Sequence, residues 1–376
     1  MSGAPDVIVI GAGLVGTMTA VGLTDAGARV TLLESDFAGG GSTGSAMGHI
    51  VAMDDSPEQL ALCAHSRRRW GHLAATLPAS GEVDRCGTLW IAADEAELEA
   101  GRSRLAGYQA ERVSAELIDS RQLQRLEPNL RNGLAGALRV PGDAVCYPPA
   151  IARALTERAV ASGRCTLRKD RAVAISAHSI QLANGESLRT DAIVVAAGVS
   201  SPDLVPGLPI VPRKGHLVIS DRQPGLVTHQ IVELGYMQSA HTFGAASVAF
   251  NVQPRRTGQV LIGSSRELVG FDPSINRELL GAMLRRAAEY LPALHQVRAL
   301  RTWVGFRPAT ADKLPLIGRW PAMDGVWIAA GHEGLGITMS TGTADLIVAG
   351  IMGTTPPVDP LPFRPDRDMP AMAHAA

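Results

Sequence analysis

The chain has 376 residues, 35 basic and 36 acidic side chains, and 46% hydrophobic content. At about 150 residues per domain, that length allows two or three domains and a large core. Balanced charge without a basic block argues against nucleic acid or an anionic membrane surface as partner, and no run reaches the roughly 18 uninterrupted apolar residues of a membrane span.

Asp6-Val-Ile-Val-Ile10 reads as a short buried strand, entered without a basic region or an apolar signal core, so a soluble cytoplasmic protein is expected. Gly11, Gly13 and Gly16 follow at once and open an apolar helix that begins at Leu14 and Val15 and runs through Leu23. Gly11 permits the tight turn, Gly13 lets a pyrophosphate approach the backbone, and Gly16 allows close packing of helix on strand. Residues 28–33 return as a second strand, ending in Glu34 and Ser35, where a carboxylate accepts a ribose hydroxyl in such a unit.

A small-residue loop comes next, Gly39-Gly-Gly-Ser-Thr-Gly-Ser-Ala-Met-Gly-His49, able to lie flat against a ring through Ser42, Thr43, Ser45, Ala46, Met47 and Gly48. Gly87-Thr-Leu-Trp-Ile-Ala92 is strand-like, and a charged helical pattern over 94–115 ends near Glu127-Pro128. From Asp143 the nucleotide-type pattern resumes, with a helix over 149–162, short strands within 166–175 and 180–182, and the buried strand Ala192-Ile-Val-Val-Ala-Ala-Gly198. Ala197 and Gly198 end that strand in a turn suited to close cofactor approach. Residues 207–306 bring strands at 215–220, 247–252 and 259–263 and a charged helix over 275–290, an α+β segment on the substrate side. A second glycine cluster, Gly331-His-Glu-Gly-Leu-Gly336, follows the strand Val326-Trp-Ile-Ala-Ala330 and leads into a helix through Ile351. Two such glycine sites at opposite ends of the chain point to FAD rather than to a simple nucleotide. The Pro-rich stretch after Thr355 reads as a surface or disordered tail. Cys63, Cys86, Cys146 and Cys165 are widely spaced and read as reduced thiols, with no metal cluster or disulfide framework expected.

The order of these motifs, with Gly44-Ser-Ala-Met-Gly-His49, Gly305-Phe-Arg-Pro308 and Leu314-Pro-Leu-Ile-Gly318, resembles the D-amino-acid oxidase superfamily, most nearly its glycine and sarcosine oxidase branch. Tyr236-Met-Gln-Ser-Ala240 and Phe250-Asn-Val-Gln-Pro-Arg255 through Gly263-Ser-Ser-Arg-Glu267 further resemble the FAD-bearing β subunits of bacterial D-hydroxyproline dehydrogenases and of opine-type oxidases. The resemblance implies an α/β Rossmann-like FAD-binding domain of glutathione-reductase type, formed by 1–80, 141–206 and 307–355. It is interleaved with an α+β substrate domain on a mixed sheet, formed by 81–140 and 207–306, with 356–376 as tail.

It also implies oxidation of a carbon–nitrogen bond beside a carboxylate in a small amino or imino acid, by hydride transfer to flavin N5. Arg307 matches the family arginine that grips the carboxylate through its planar fork, with Pro308 biasing it toward extended backbone. Tyr236 matches a tyrosine whose hydroxyl meets the same carboxylate, and His49 is placed to hydrogen-bond substrate or modulate N5. Val173 matches a backbone contact to adenine. The dipole of the helix entered through His332, Gly334, Leu335, Gly336, Ile337 and Thr338 points at the flavin N1/C2 carbonyl. His216 and His241 read as structural. Where sarcosine oxidases carry a cysteine as covalent flavin anchor this chain has Gly305, so FAD is expected to be noncovalent. The β-subunit resemblance implies partner subunits carrying an iron–sulfur centre and a further flavin. A flavin dehydrogenase of a 2-hydroxy acid, and a noncatalytic FAD subunit of an electron-transfer complex, remain alternatives.

Overall fold

The computed structural model describes residues 3–53, 55–235 and 246–370. The strand Asp6–Ile10 shows how its sequence selects its surroundings. Val7 and Val9 join one core cluster, with Leu23 and Ile347, whereas Ile8 and Ile10 join another, with Ile180 and Leu182. A continuous apolar run thus lies in a sheet covered on both faces. That six-stranded sheet has the order Leu316–Arg319, Val326–Ala330, Ala192–Val195, Asp6–Ile10, Arg29–Glu34, Cys165–Lys169. All neighbours pair in parallel except the first two. Helices Leu14–Asp25, Pro148–Ala161 and Gly336–Met352 pack on one face, and the small sheet Ala172–Ser176, Ser179–Leu182, Ser187–Arg189 contributes to the core on the other.

A second, eight-stranded mixed sheet runs Ala299–Ala309, Val211–Arg222, Gln259–Arg266, Ser247–Pro254, Gln230–Glu233, Thr88–Ala92, Gly136–Val140, Glu116–Asp119. Period-two alternation divides its side chains. Leu89, Ile91, Ile231, Phe250 and Val252 form a core with helix Arg277–Tyr290. Trp90, Gln230, Asn251, Arg213 and Arg307 line cavities on the opposite face, toward the first sheet. The strand Ala299–Ala309 pairs Arg213 with Arg307 and carries the second sheet past residue 306.

Two local expectations change, and a third, the tail, is narrowed to the surface alternative. The helix read over 94–115 ends at Ala110, and an edge strand Glu116–Asp119 follows, then a helix Ser120–Leu126 with a full Asp119/Gln122 capping box. The helix Pro57–Ala74, capped by Ser56 and begun by proline, has no counterpart in the sequence reading. The tail is docked through residue 370: Phe363 is buried and Arg367 makes two hydrogen bonds to Asp312, at 2.7 and 2.9 Å. Among the described residues one stretch, Glu333–Met352, is long and apolar enough to cross a membrane, but 67% of its apolar window is buried inside the fold. Among the cysteines, Cys63, Cys146 and Cys165 are buried and Cys86 is half-buried, all free thiols.

Candidate active site

The glycine turn is built by close approach. Gly11 has φ +104°, and a Cβ there would lie 2.6 Å from the Ala196 carbonyl oxygen of the neighbouring strand. A Cβ on Gly16 would run into the Gly11 carbonyl oxygen itself. Only glycine lets strand, turn and helix meet here. The Ala12 N–H donates to Glu34 Oε2 at 2.8 Å and the Asp36 N–H to Oε1 at 2.9 Å, fixing the carboxylate at the end of its strand. The Leu14 N–H donates to Thr43 Oγ1 at 3.0 Å, which ties Gly41–Ser45, read in sequence as loop but folded as a single helical turn, to the first helix. Gly305 completes the fit, because a Cβ there would sit 2.5 Å from the Ser45 Cβ.

These elements enclose a cavity of about 770 Å³ running from Glu34 to Arg307. Helices Leu14–Asp25 and Gly336–Met352 both begin at its wall, and neither N-cap residue, Gly13 or Leu335, closes its helix with a side chain. Two helix N-termini with N–H groups to spare favour negative charge between them.

At the far end the cavity becomes strongly charged. The Arg307 Nη1 donates to the Ser265 carbonyl at 3.1 Å, in space left by Gly215, where a Cβ would collide with the guanidinium and lie 2.7 Å from Ser265 O. Glu333, in left-handed backbone at φ +47°, stands 3.5 Å from both Arg213 and Arg266. Burial would raise its carboxyl, but Arg266, Arg307 and Arg213 overcome that and hold it down at about 2. His49 is half-buried with its Nε2 out of solvent and unpartnered, and burial, opposed by the Gln253 side chain and joined by the Arg307 charge, lowers the imidazole to about 4, so it is neutral at physiological pH. His332 is buried against Thr343 Oγ1 at 2.8 Å and lowered to about 3 by burial alone.

That depression has a sign. Folded His332 rejects a proton that the unfolded chain accepts near 6.5, so its contribution to stability is complete above that pH and is lost as pH falls toward 3. His49 acts in the same direction, whereas Asp143, raised to about 6 by burial despite Arg67 at 2.8 Å, acts in the opposite one. A His332→Asn protein is expected to lose less melting temperature between pH 7 and pH 5 than the parent. Parallel slopes in thermal melts would show that His332 is not neutral in the fold.

A family model described as FAD dependent oxidoreductase (DAO) matches residues 6–349. The chain belongs to this family of FAD-dependent oxidoreductases. The glycine oxidase of Pseudomonas aeruginosa is 27% identical to it over 96% of this chain and 98% of that protein. The hydrogen cyanide synthase subunit HcnC of the same species is 26% identical over 78% of this chain and 70% of its own length. The crystal structure of glycine oxidase from Geobacillus kaustophilus shares the fold, with TM-score 0.86 over 98% of this chain and 100% of that one at 24% identity.

The cavity fits the FAD that this DAO-family enzyme uses. The helix ends at the cavity wall and the Gly11–Gly13 cradle suit a pyrophosphate, and the fixed Glu34 carboxylate suits a ribose. Of the residues singled out in sequence, Gly11, Gly13, Leu14, Val15, Glu34, Ser35, Ser42, Thr43, Ser45, Ala46, Met47, Gly48, His49, Val173, Ala197, Gly198, Arg307, His332, Gly334, Gly336 and Ile337 all line this one cavity. Gly16 stands behind it as a packing residue, and Gly331 packs against Thr310. Leu335 faces an adjoining smaller cavity. The Thr338 hydroxyl bonds the backbone instead, donating to His49 O and accepting from Val51 N–H, both at 3.0 Å. Tyr236 and His241 lie outside the described residues. His216 is on the opposite face of its sheet, with Nδ1 at 2.8 Å from Ser265 Oγ and Nε2 accepting from the Asn276 N–H.

Sequence reasoning missed Glu333, Arg213, Arg266, Asn251 and Gly215. The one available signal was alternation: Arg213, Gly215 and Leu217 share a face of Val211–Arg222, opposite Arg307, Gly305 and Trp303.

Proposed function

We propose that the chain oxidises the carbon–nitrogen bond of a small amino or imino acid, with Arg307 as the carboxylate anchor. The observation that carries this reading is a guanidinium seated at the end of a dinucleotide-shaped cavity, beside a neutral, unpartnered histidine nitrogen. When bound, FAD supplies a two-electron acceptor for the hydride of the substrate α-carbon. Arg307 fixes the carboxylate in one plane through paired hydrogen bonds. His49 Nε2 offers an acceptor to an amine N–H, and its neutrality keeps a second positive charge away from the nitrogen that must lose electrons. Met47, Leu217 and Leu261 form an apolar cluster between the loop and the sheet, which excludes water from one side of the pocket. The carbon–nitrogen reading is supported by the glycine oxidase named among the relatives, and the noncovalent state of FAD by the absence of cysteine from the described cavity lining. Acid precipitation is expected to release all the flavin, and flavin retained in the pellet would contradict noncovalent binding.

The test is product analysis with an artificial electron acceptor. Glycine, sarcosine, D-proline and cis-4-hydroxy-D-proline are each compared with the matching 2-hydroxy acid. An oxo acid plus ammonia or amine, or a cyclic imine, from a nitrogen substrate supports the reading; turnover of hydroxy acids alone defeats it. A second reading, that electrons pass to partner subunits, is favoured by one relative being named as a subunit. It requires that the reduced protein reoxidise slowly in air, and fast reoxidation would remove it.

A further inference from the structure

We infer that the protein has a second ligand site, behind the active-site strand, which takes a small organic phosphate. It is separate from the substrate and cofactor cavity and does not depend on which compound is oxidised there.

The site is a cavity of about 300 Å³ that shares no lining residue with the cofactor cavity or with the smaller one beside it. Arg67 and Arg68 reach its wall from helix Pro57–Ala74, Arg85 from the segment that leads into strand Thr88–Ala92, and Arg112 from the turn after helix Glu95–Ala110. Among the described residues no carboxylate lines it. Arg67 is paired with Asp143 at 2.8 Å, and its side chain is only 11% exposed. The other three keep their charge. Arg68 Nη1 donates to the Glu111 carbonyl at 3.4 Å and Arg85 Nη2 to the Gly71 carbonyl at 3.1 Å, bonds that place a guanidinium without neutralising it. Among the described residues, Arg68, Arg85 and Arg112 form no ion pair. Guanidinium groups stay charged at every physiological pH, so three of them around one concavity concentrate anions there. A phosphate monoester matches the set, with close to two negative charges and three acceptor oxygens for planar donor forks.

The rest of the wall defines the body of the guest. Ile50, Trp70, Val83 and Val113 give the cavity an apolar side that an inorganic ion would leave bare, and its volume lies at the lower end of the range for small-molecule sites. Arg112 stands in left-handed backbone at φ +56°, just past its helix, where glycine is the ordinary residue. A charged side chain is held there at a cost in backbone strain. The occupant lies close behind the active site: Ile50 follows His49 in strand His49–Ile50, and Ala144 of the same wall pairs with Ile50. Trp70 Nε1 donates to the Ile337 and Thr338 carbonyls, both at 3.0 Å, in the helix that begins at the cofactor cavity.

The test is calorimetric titration of the FAD-loaded protein with phenyl phosphate and with inorganic phosphate, so that the cofactor's own phosphate sites are filled. Phenyl phosphate is expected to bind at one site, about tenfold more tightly than inorganic phosphate, through burial of its ring. Arg85→Gln weakens it about tenfold, the loss of one charge-assisted contact. Arg112→Gly weakens it to a similar extent without lowering the melting temperature, since glycine suits the left-handed backbone, and this separates lost binding from a lost fold. Arg307→Ala leaves the affinity unchanged. Four results would each overturn the site: no saturable binding, equal affinity for inorganic phosphate (an adventitious ion only), parental affinity in both Arg85→Gln and Arg112→Gly, or loss of binding in Arg307→Ala.

Discussion

Arg307→Ala raises KM for the substrate about 100-fold while changing kcat far less, because the guanidinium binds the carboxylate equally in ground and transition states. Truncating one partner of a buried charge pair costs about 2–5 kcal/mol, and each 1.4 kcal/mol is about tenfold. Arg307→Lys keeps the charge and loses the fork, so it recovers only part of the affinity. Gly215→Ala is the more searching variant, since it leaves Arg307 in place chemically but drives a methyl group into the space its guanidinium occupies. It is expected to reproduce most of the Arg307→Ala loss. Steady-state kinetics on the three proteins decides the matter, and a Gly215→Ala enzyme with parental KM would mean that Arg307 acts elsewhere.

The two glycine substitutions in the cofactor turn are expected to fail differently. In Gly16→Ala the new Cβ meets a backbone carbonyl, that of Gly11, which cannot turn aside as a side chain does. Strand and helix must separate, and the protein is expected to lose both flavin and several degrees or more of melting temperature. In Gly13→Ala the Cβ meets Thr43 Oγ1 at 3.2 Å, a side chain able to rotate. The apoprotein then keeps its melting temperature, while FAD affinity falls about 100-fold from the blocked approach to the backbone and the disturbed Leu14–Thr43 contact. Flavin content after gel filtration and thermal melts of the apoproteins separate the two effects. Equal melting temperatures for both variants would contradict the assigned roles.

The cofactor half was legible because its signals are local. A strand, three spaced glycines and an acidic strand end lie within residues 6–34, and each restricts backbone that is contiguous in sequence. The second glycine cluster reads for the same reason. The charged end of the site was not legible, because its parts meet only through sheet register. Arg213 faces Arg307 across paired strands, and a buried Asn251 or Gln230 looks in sequence like a solvent-facing polar residue on an alternating strand. Glu333 was read only as part of a glycine-rich turn, although its φ of +47° is costly for a side chain with a Cβ. The helix Pro57–Ala74 did announce itself through Ser56-Pro57, but its arginines and histidines blur its apolar stripe. The tail lies on the surface, as one of its two readings had it, and the anchors that order it there, Phe363 and Arg367, have partners too distant in sequence to be read.

The most direct test of the account is anaerobic mixing of the FAD-loaded protein with paired substrates, an amino or imino acid and the 2-hydroxy acid of the same carbon skeleton. Bleaching of the visible flavin absorption by the nitrogen compound, and not by its oxygen counterpart, is the predicted result, and it should require Arg307. Bleaching by the hydroxy acid alone, or bleaching by the amine that survives Arg307→Ala at the same substrate concentration, would contradict it.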